Sequence, residues 1–243
     1  MNDIHCHILF GLDDGSVNIE ESVEMARIAR SGGTKKIIAT PHSNVTGSFR
    51  NMWCPEFCDM IERLNSSIRD SGCDIEIFPG QEIFCGENFL QHLLDGRLIT
   101  LNNSKYPLVE FNFHEHSASV YTKLKKLVAE GYVPVVAHPE RYAFLSEDDS
   151  AAVKLRKMGC LLQINKGSLQ GSFGRNASNA ANLLLKKSYA DFVASDAHSP
   201  YVRTPFLAEA FEFVSESYSF DYARLLFSEN PSAVIENKDV TFI

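Results

Sequence analysis

Histidine and carboxylate side chains occur in closely spaced pairs at the ends of short β-prone runs. His5 and His7 end the first such run, and Asp196 and His198 lie at the end of the last. Because successive side chains of a strand point to opposite faces, residues two apart share a face, and each pair can bind one cation. Imidazole nitrogen together with carboxylate oxygen suits zinc, manganese, iron or cobalt. The two pairs therefore predict a metal site.

Residues of the same two types follow the intervening β-prone runs. They are His42, Glu82, Glu110 and His138, and the first loop adds Asp13 and Asp14. A single histidine is more often an ordinary hydrogen-bonded residue than a ligand. For the whole set the balance reverses, because five histidines and several carboxylates gathered at one place would be too costly to bury without cations. The remaining histidines lack this placement, and we interpret them as solvated polar residues: His92, His114 and His116.

The β-prone runs alternate with amphipathic stretches, which indicates repeated strand-helix units and a parallel sheet. The seven runs lie at residues 2–7, 36–41, 75–81, 106–111, 133–138, 160–165 and 192–196. The helical stretches lie at 19–31, 56–69, 87–94, 119–129, 149–157, 177–187 and 205–214. The pattern predicts one α/β domain over residues 1–243, a closed or nearly closed barrel, although an open doubly wound sheet would produce much the same pattern. The residues of ligand type fall at the carboxyl ends of the strands, where barrel enzymes assemble their active sites.

Composition argues against several classes of function. The chain has 243 residues and a net charge of −8, which argues against sequence-independent binding to nucleic acid. No apolar stretch approaches the roughly 18 to 20 residues that span a bilayer, and the first residues lack the features of an export signal. Six scattered cysteines without a Cys-x-x-Cys pair are typical of reduced thiols. We therefore expect a soluble, cytoplasmic protein that is not embedded in a membrane.

The motifs resemble those of the polymerase-and-histidinol-phosphatase (PHP) superfamily, and most closely the tyrosine phosphatases encoded with capsule and exopolysaccharide genes. The segments that carry the resemblance are His5-Cys6-His7-Ile8-Leu9, Gly11-Leu12-Asp13-Asp14-Gly15, Ala39-Thr40-Pro41-His42, Gly80-Gln81-Glu82, Ala137-His138-Pro139-Glu140-Arg141-Tyr142 and Ser195-Asp196-Ala197-His198. The likeness extends from residue 1 to about 215 and weakens over the segment Val45 to Cys58.

The resemblance implies a distorted TIM-like barrel of seven βα units, the PHP fold, with three divalent metal ions. Manganese is the usual ion, and iron, cobalt, zinc or magnesium are alternatives. The implied ligands form three groups: His5, His7, Glu82 and Asp196 for one ion; Glu82, Glu110 and His138 for a second, with Glu82 bridging; and Asp14, His42 and His198 for the third. Asp13 remains an alternative to Asp14 in the last group.

The resemblance also implies a function. We expect a metal-dependent protein-tyrosine phosphatase that acts on the phosphotyrosine-containing tail of a bacterial tyrosine kinase and so regulates capsule or exopolysaccharide synthesis. One alternative is a small-molecule phosphatase of the same superfamily, such as one acting on histidinol phosphate. Another is a metal-binding regulatory module without turnover. The oligomeric state stays open.

His42, Arg141 and Arg203 are the predicted catalytic residues. A planar guanidinium can clamp two phosphate oxygens, so the two arginines are candidates to orient the phosphoryl group, unless they pair with carboxylates such as Glu140. Divalent ions lower the pKa of water and generate a hydroxide that attacks phosphorus directly. A thiol-based phosphatase needs an arginine six positions after its cysteine, and none of the six cysteines has one.

Two segments have competing interpretations. Phe49, Trp53 and Phe57 either line a pocket for an aromatic ring or pack into the core at helical spacing, and we favour the core. The polar run at 163–169 either orients ligands or substrate, or forms a simple turn and helix cap.

Overall fold

The strands of the chain form a parallel arrangement in a computed structural model that describes residues 1–146 and 150–242. The strands of this part of the chain are β1 (Asn2–Cys6), β2 (Lys36–Ala39), β3 (His42–Ser43), β4 (Glu76–Pro79), β5 (Glu82–Phe84), β6 (Leu108–Glu110), β7 (Val135–Ala137), β8 (Leu161–Asn165) and β9 (Phe192–Ala194).

Helices follow the strands in regular alternation. They are α1 (Ile19–Ser31), α2 (Pro55–Asp70), α3 (Phe89–Leu94), α4 (Ser117–Ala129), α5 (Ala143–Ser146), α6 (Ser150–Lys157), α7 (Lys166–Leu169), α8 (Gly174–Lys186), α9 (Ala208–Ser217), α10 (Phe220–Arg224) and α11 (Asn230–Ile235), with 3-10 turns at Leu101–Asn103 and Pro139–Arg141 and a π turn at Leu225–Glu229. Among the described residues, none of these helices is long and apolar enough to cross a membrane.

The strands follow one another around a ring. One sheet has the order β1-β2-β4, and the other has the order β3-β5-β6-β7-β8-β9. The chain runs almost directly from β2 into β3 and from β4 into β5, so the two sheets continue each other. The amide of His7 donates to the carbonyl of Ala197 at 2.8 Å, and the amide of Asp196 donates to the carbonyl of His5 at 2.8 Å. These bonds join β1 to the segment after β9, which favours the closed barrel over the open sheet.

Two predicted strands are interrupted. The run predicted at 36–41 is a strand only to Ala39, and a second short strand, β3, begins just beyond the run at His42. Likewise the run predicted at 75–81 forms β4 only to Pro79, and β5 begins just beyond it at Glu82. A Cβ on Gly80 would lie 2.6 Å from Cγ2 of Ile38, so only glycine allows the neighbouring strands to approach this closely. His42 and Glu82 are the first residues after these breaks, and the two are paired in register.

The core lies on both sides of the strand ring. Ile4, Leu108, Val135 and Phe192 belong to a cluster that joins residues of both sheets. The alternate strand residues pack outward against the helices, as Val136 and Leu162 do. Helix α1 shows why such a helix forms and how it binds to the sheet. The side chain of Asn18 accepts a hydrogen bond from the amide of Glu21 at the amino end, and the buried face carries small and apolar residues.

Most predicted helices are present with shifted bounds. The stretch predicted at 205–214 begins at Ala208 and continues to Ser217, and the stretch at 177–187 begins at Gly174. Residue 149, the predicted start of another helix, lies outside the described residues. The helical region from 220 to 235 was not predicted.

Candidate metal centre

All nine predicted metal ligands lie at the carboxyl ends of the strands and face one another. His5 lies within β1, His42 and Glu82 begin β3 and β5, and Glu110 ends β6. The others follow the ends of β1, β7 and β9, apart from Asp14 in the first loop: His7, Asp14, His138, Asp196 and His198. Eight of the nine form three groups of side chains within reach of one another: His5, His7 and Asp196; His42, Glu82 and Glu110; and His7, Asp14, His42 and His198. His138 belongs to none of these groups, but its Nε2 lies 2.9 Å from Glu82.

Glu82 also reaches the histidines of the first group, so four ligand atoms come together there. The Nε2 atoms of His5 and His7 lie 3.2 Å apart, as expected from their spacing of two along the strand. Oε2 of Glu82 is 3.3 Å from Nε2 of His5 and 3.4 Å from that of His7. Oδ1 of Asp196 is 3.4 Å from each of the same nitrogens. The two ring nitrogens thus face both carboxylates at once.

Hydrogen bonds place the proton of the His5 ring on Nδ1, the nitrogen that faces away from the two carboxylates. The Asp196 carboxylate accepts a short hydrogen bond from Nδ2 of Asn165, so Oδ1 of Asn165 accepts from Nε2 of Gln163 at 2.9 Å. This leaves Oε1 of Gln163 to accept from Nδ1 of His5, 2.7 Å away. Because a neutral imidazole carries one proton, Nε2 of His5 presents a lone pair to the centre.

Asp13 fixes His7 in the same way. Oδ2 of Asp13 accepts from Nδ1 of His7 at 2.7 Å and from the amide of His42 at 2.8 Å. The carboxylate is fully buried, whereas Asp14 is 55% exposed and its Oδ1 lies 3.6 Å from His42 and 3.5 Å from His198. The structure therefore favours Asp14 as the ligand and gives Asp13 the role of orienting His7.

Glu82 is at the middle of the centre. Its Oε1 lies 2.9 Å from Nε2 of His138, and its Oε2 lies 2.9 Å from Nδ1 of His42. Glu110 completes this side, 3.8 Å from Nε2 of His138 and 3.5 Å from Nδ1 of His42. The His42 ring presents its other nitrogen to Asp14, so it stands between two of the three groups.

Burial and charge act in opposition in this cluster. Burial favours the neutral form of His42, but the carboxylates of Glu82 and Glu110, which lie close to its Nδ1, raise its pKa to about 10. Burial likewise opposes ionisation of Glu82, yet His5, His42 and His138 hold its pKa well below the usual range. The pKa of Asp196 is also held well below its usual value, against burial, by His5, His7 and Arg203. Protons on the histidines therefore compete with a cation for this space.

The donor set fits divalent cations. When His5 and His7 carry their protons on Nδ1, the four atoms of the first group are all acceptors, and only a positive charge can hold them together. Oε2 of Glu82 and Nδ1 of His42 are buried only 2.9 Å apart, yet neither makes a hydrogen bond of acceptable geometry. Imidazole and carboxylate donors without thiolate suit manganese, iron, cobalt or zinc in open, reactive sites.

The two predicted phosphate-binding arginines border this cluster. Arg203 lies 2.5 Å and Arg141 3.7 Å from Oδ2 of Asp196. Both arginines therefore pair with a carboxylate, as the alternative interpretation predicted, although the carboxylate is Asp196 and not Glu140. The guanidinium carbon of Arg141 lies 4.4 Å from the ring centres of both Phe113 and Phe173, which enclose it from two sides. This double cation–π contact restricts the arginine to one direction.

Three site residues have left-handed backbone conformations. The φ angles are 35° at His138, 49° at Asp196 and 54° at Arg203. Residues with side chains adopt this region at a cost that surrounding structure must offset, and such positions concentrate at functional sites. The amide of His198 donates to the carbonyl of Arg203 at 3.0 Å, which closes the loop between these two residues.

The three aromatic residues predicted for the core do not share one environment. Phe57 is buried and packs with Trp53, their ring centres 5.2 Å apart, as favoured. Phe49 instead lines a cavity beside the metal centre, and its ring lies parallel to that of His42 at 5.8 Å. For this residue the core prediction was wrong, because the turn at 45–49 holds it outside helix α2.

The other histidines differ in their surroundings. His92 is half-buried and its Nδ1 lies 3.1 Å from Oδ1 of Asn44, so it is not simply solvated. His116 is exposed, as predicted. His114 is also exposed, but it borders the cavity beside the metal centre. No sequence signal distinguishes it from His116, since both flank Glu115.

Comparison with known proteins identifies relatives over the whole length of the chain. Residues 1–236 match the family described as capsular polysaccharide synthesis, CpsB/CapC. The tyrosine-protein phosphatase YwqE of Bacillus subtilis is 34% identical over 240 residues, which cover 99% of this chain and 93% of the relative. The tyrosine-protein phosphatase CpsB of Streptococcus agalactiae serotype V is 32% identical over 246 residues, which cover 98% of this chain and 99% of the relative.

Solved structures agree with this result. A chain among the crystal structures of YwqE from Bacillus subtilis and CpsB from Streptococcus pneumoniae, metal-dependent tyrosine phosphatases, superposes with a TM-score of 0.92 at 34% identity, covering 100% of this chain and 97% of that one. Histidinol phosphate phosphatase from Lactococcus lactis gives a TM-score of 0.60 at 15% identity over 93% of this chain and 94% of its own, a likeness of fold alone. The predicted family and PHP-type barrel are confirmed.

Proposed function

Because the chain belongs to the CpsB/CapC family of capsular polysaccharide synthesis proteins, we propose that it is a metal-dependent protein-tyrosine phosphatase. The observation that carries the proposal is the convergence of nine histidine and carboxylate side chains beside two arginines at the carboxyl end of a barrel. The full-length similarity to tyrosine-protein phosphatases supports phosphotyrosine as the substrate. We assign the whole chain, residues 1–243, to one PHP-type domain.

The proposed ligands divide among three divalent ions, most often manganese. The groups are His5, His7, Glu82 and Asp196; Glu82, Glu110 and His138; and Asp14, His42 and His198. The position of Glu82 between His138 and the two histidines of β1 supports its role as the bridging carboxylate. The bound ions supply Lewis acidity, which lowers the pKa of water and neutralises charge on the phosphoryl oxygens.

The protein's own side chains orient the reaction. Arg141 and Arg203 clamp the phosphoryl oxygens, and their direction is maintained by Phe113 and Phe173. Gln163 and Asp13 keep the lone pairs of the β1 histidines directed at the centre. This preorganisation stabilises the charge that develops in the transition state without rearrangement during the reaction. A phenolate leaving group, with a pKa of about 10, needs less protonation than an alkoxide.

The proposed physiological substrate is the phosphotyrosine-containing tail of a bacterial tyrosine kinase in the cytoplasm. Removal of phosphate from this tail would regulate capsule or exopolysaccharide synthesis, which is the process named for the family.

The first experiment compares hydrolysis of a phosphotyrosine peptide by metal-stripped protein before and after manganese is added, with a thiol alkylator and histidinol phosphate in parallel assays. We expect manganese to restore activity and alkylation to leave it unchanged, since the three ligand groups contain no cysteine. Preference for histidinol phosphate would favour the small-molecule phosphatase. Absence of turnover with every divalent ion and every phosphomonoester would favour the regulatory module.

A further inference from the structure

A cavity of about 470 Å³ opens beside the metal centre. Its walls are mainly aromatic, formed by Phe49, Phe84, Phe111 and Phe113. His42 and Glu110, two of the proposed metal ligands, line the same space. The cavity is thus continuous with the centre, and its volume is in the range of pockets that hold small organic groups.

We propose that this cavity is a binding subsite for the aromatic ring of the substrate and makes the centre selective for aryl over alkyl phosphate monoesters. The inference rests on the proposed phosphatase function and specifies how its substrate is recognised. The exposed surface of the cavity is mostly apolar, although Ser48, Asn112 and His114 also line it. An apolar wall of this kind favours a flat hydrocarbon ring over a short polar alkyl group.

The cavity lies next to Arg141, one of the two arginines proposed to bind the phosphoryl group. Phe113 forms one wall and also lies against Arg141, whose guanidinium carbon is 4.4 Å from the ring centre. A phosphoryl group held by Arg141 therefore has its ester substituent within reach of the aromatic walls. His42 and Glu110 place the same opening next to the proposed ions.

Phe49 is positioned by a tight turn and not by helix packing. The amide of Val45 donates to the carbonyl of Phe49 at 2.9 Å, and the amide of Asn44 donates to the carbonyl of Arg50 at 2.9 Å. Gly47 has a φ of 78° within this turn, a conformation that favours glycine. The turn holds the Phe49 ring parallel to His42, at the boundary between the ligands and the cavity.

A competing explanation is that Phe49 only supports the His42 ring. The two roles differ in their effect on substrate preference. Loss of a support for His42 would impair hydrolysis of every phosphate ester, because it would disturb the centre itself. Loss of a wall of a ring subsite would impair aryl esters more than alkyl esters.

The test measures kcat/KM for phenyl phosphate and for glycerol 2-phosphate with manganese-loaded protein, in the wild type, Phe49→Ala and Phe220→Ala. Phe220 is 60% exposed and lies outside the cavity, so it is the matched control. Phenyl esters are intrinsically more reactive, and the informative quantity is therefore the change in the aryl-to-alkyl ratio. We expect Phe49→Ala to lower this ratio about three- to tenfold, and Phe220→Ala to leave it unchanged. An equal loss on both esters, or no change in the ratio, would overturn the subsite.

A binding measurement separates the subsite from the phosphatase proposal. Calorimetry compares phenylphosphonate with methylphosphonate, which are not hydrolysed, on the same manganese-loaded proteins. Tighter binding of phenylphosphonate by the wild type, with the difference reduced in Phe49→Ala, supports the ring subsite even if no ester is turned over. Equal dissociation constants for the two phosphonates in the wild type would show that the cavity does not receive the ring.

Discussion

Nδ1 of His5 lies 2.7 Å from Oε1 of Gln163, and this contact determines which nitrogen of His5 faces the metal centre. The amide orientation of Gln163 is itself fixed, because its Nε2 donates to Asn165 and Asn165 donates to Asp196. Two side chains of β8, Gln163 and Asn165, thus connect the proposed ligand His5 in β1 to the proposed ligand Asp196 after β9. The polar run at 163–169 had two possible interpretations, orientation of ligands or substrate and a simple turn with a helix cap. These contacts favour the orientation of ligands.

Gln163→Ala should weaken metal binding. The substitution removes the acceptor for Nδ1 of His5, so the ring can turn or carry its proton on Nε2, and such changes around a ligand typically cost about 10- to 100-fold in metal affinity. Calorimetric titration of metal-stripped protein with manganese measures the effect. Gln170→Ala, at an exposed glutamine beyond α7, is the control. Equal affinities in both variants would contradict the orienting role of Gln163.

Arg141→Lys should reduce kcat/KM for a phosphotyrosine peptide by about 100-fold. Lysine keeps the positive charge but loses the planar pair of donors and the stacking between Phe113 and Phe173. Steady-state kinetics with manganese-loaded protein measures the loss. Arg175→Lys, on the exposed part of α8, should retain wild-type rates. Near-normal turnover by Arg141→Lys would exclude a bidentate phosphate clamp at this position.

His42→Ala should abolish or greatly reduce turnover while the fold is retained. The imidazole is a proposed ligand of the third ion and contacts Asp14 and Glu82 through different nitrogens, so its removal takes away one ligand and a neighbour of the bridging carboxylate. Activity assays combined with circular dichroism separate loss of function from loss of structure, and His116→Ala, at an exposed position, is the control. Wild-type activity in His42→Ala would remove this residue from the catalytic set.

Asp191 should make stability depend on pH. Burial raises the pKa of this carboxyl to about 6, although Arg156 lies 2.7 Å away and the amide of Leu162 donates to it. The folded chain therefore holds the proton more tightly than the unfolded chain. The resulting stabilisation is complete below about pH 4 and is lost as the pH rises to about 6, a change on the order of 2 to 3 kcal/mol.

Urea unfolding of metal-free wild type and Asp191→Asn between pH 4 and pH 7 isolates this contribution, since all other titrating groups are shared. The free energy of unfolding of the wild type, minus that of the variant, should decrease from about pH 4 to pH 6 and then remain level. A difference that increases with pH would mean that the ion pair with Arg156 outweighs burial.

Gly80→Ala should destabilise the fold by about 1 to 3 kcal/mol, because the added methyl group would approach Cγ2 of Ile38 at 2.6 Å. Ile38→Ala removes that contact. In a double-mutant cycle by chemical unfolding, the cost of Gly80→Ala should therefore be smaller in the Ile38→Ala background. Equal costs in the two backgrounds would show that the close approach of these strands does not explain the glycine.

The sequence predicted the centre better than its surroundings. The pairs His5 and His7, and Asp196 and His198, can be recognised in the sequence because residues of ligand type recur two positions apart, which places them on one face of a strand. Adjacent parallel strands of a barrel then bring their carboxyl ends together. The break at Gly80 was not predictable, since the run through it stays β-prone and the constraint comes from Ile38 on a neighbouring strand.

Contacts between loops were also beyond sequence reasoning. Phe113 and Phe173 enclose Arg141 from separate connections after β6 and α7, and neither phenylalanine has a distinguishing neighbour in the sequence. The same holds for Phe49, where helical spacing with Trp53 and Phe57 favoured the core. The turn that removes Phe49 from that helix depends on hydrogen bonds within residues 44–50.

The hydrogen bonds between β1 and the segment after β9 have a consequence for how the protein is made. Cys6 contacts Ala197 across a separation of 191 residues, so β1 can find this partner only after that length of chain has also been synthesised. At ordinary rates of synthesis this delay is roughly 10 to 40 s. During that interval the histidines of β1 lack Asp196, and a ribosome that stops before this residue releases a product without a complete first metal site.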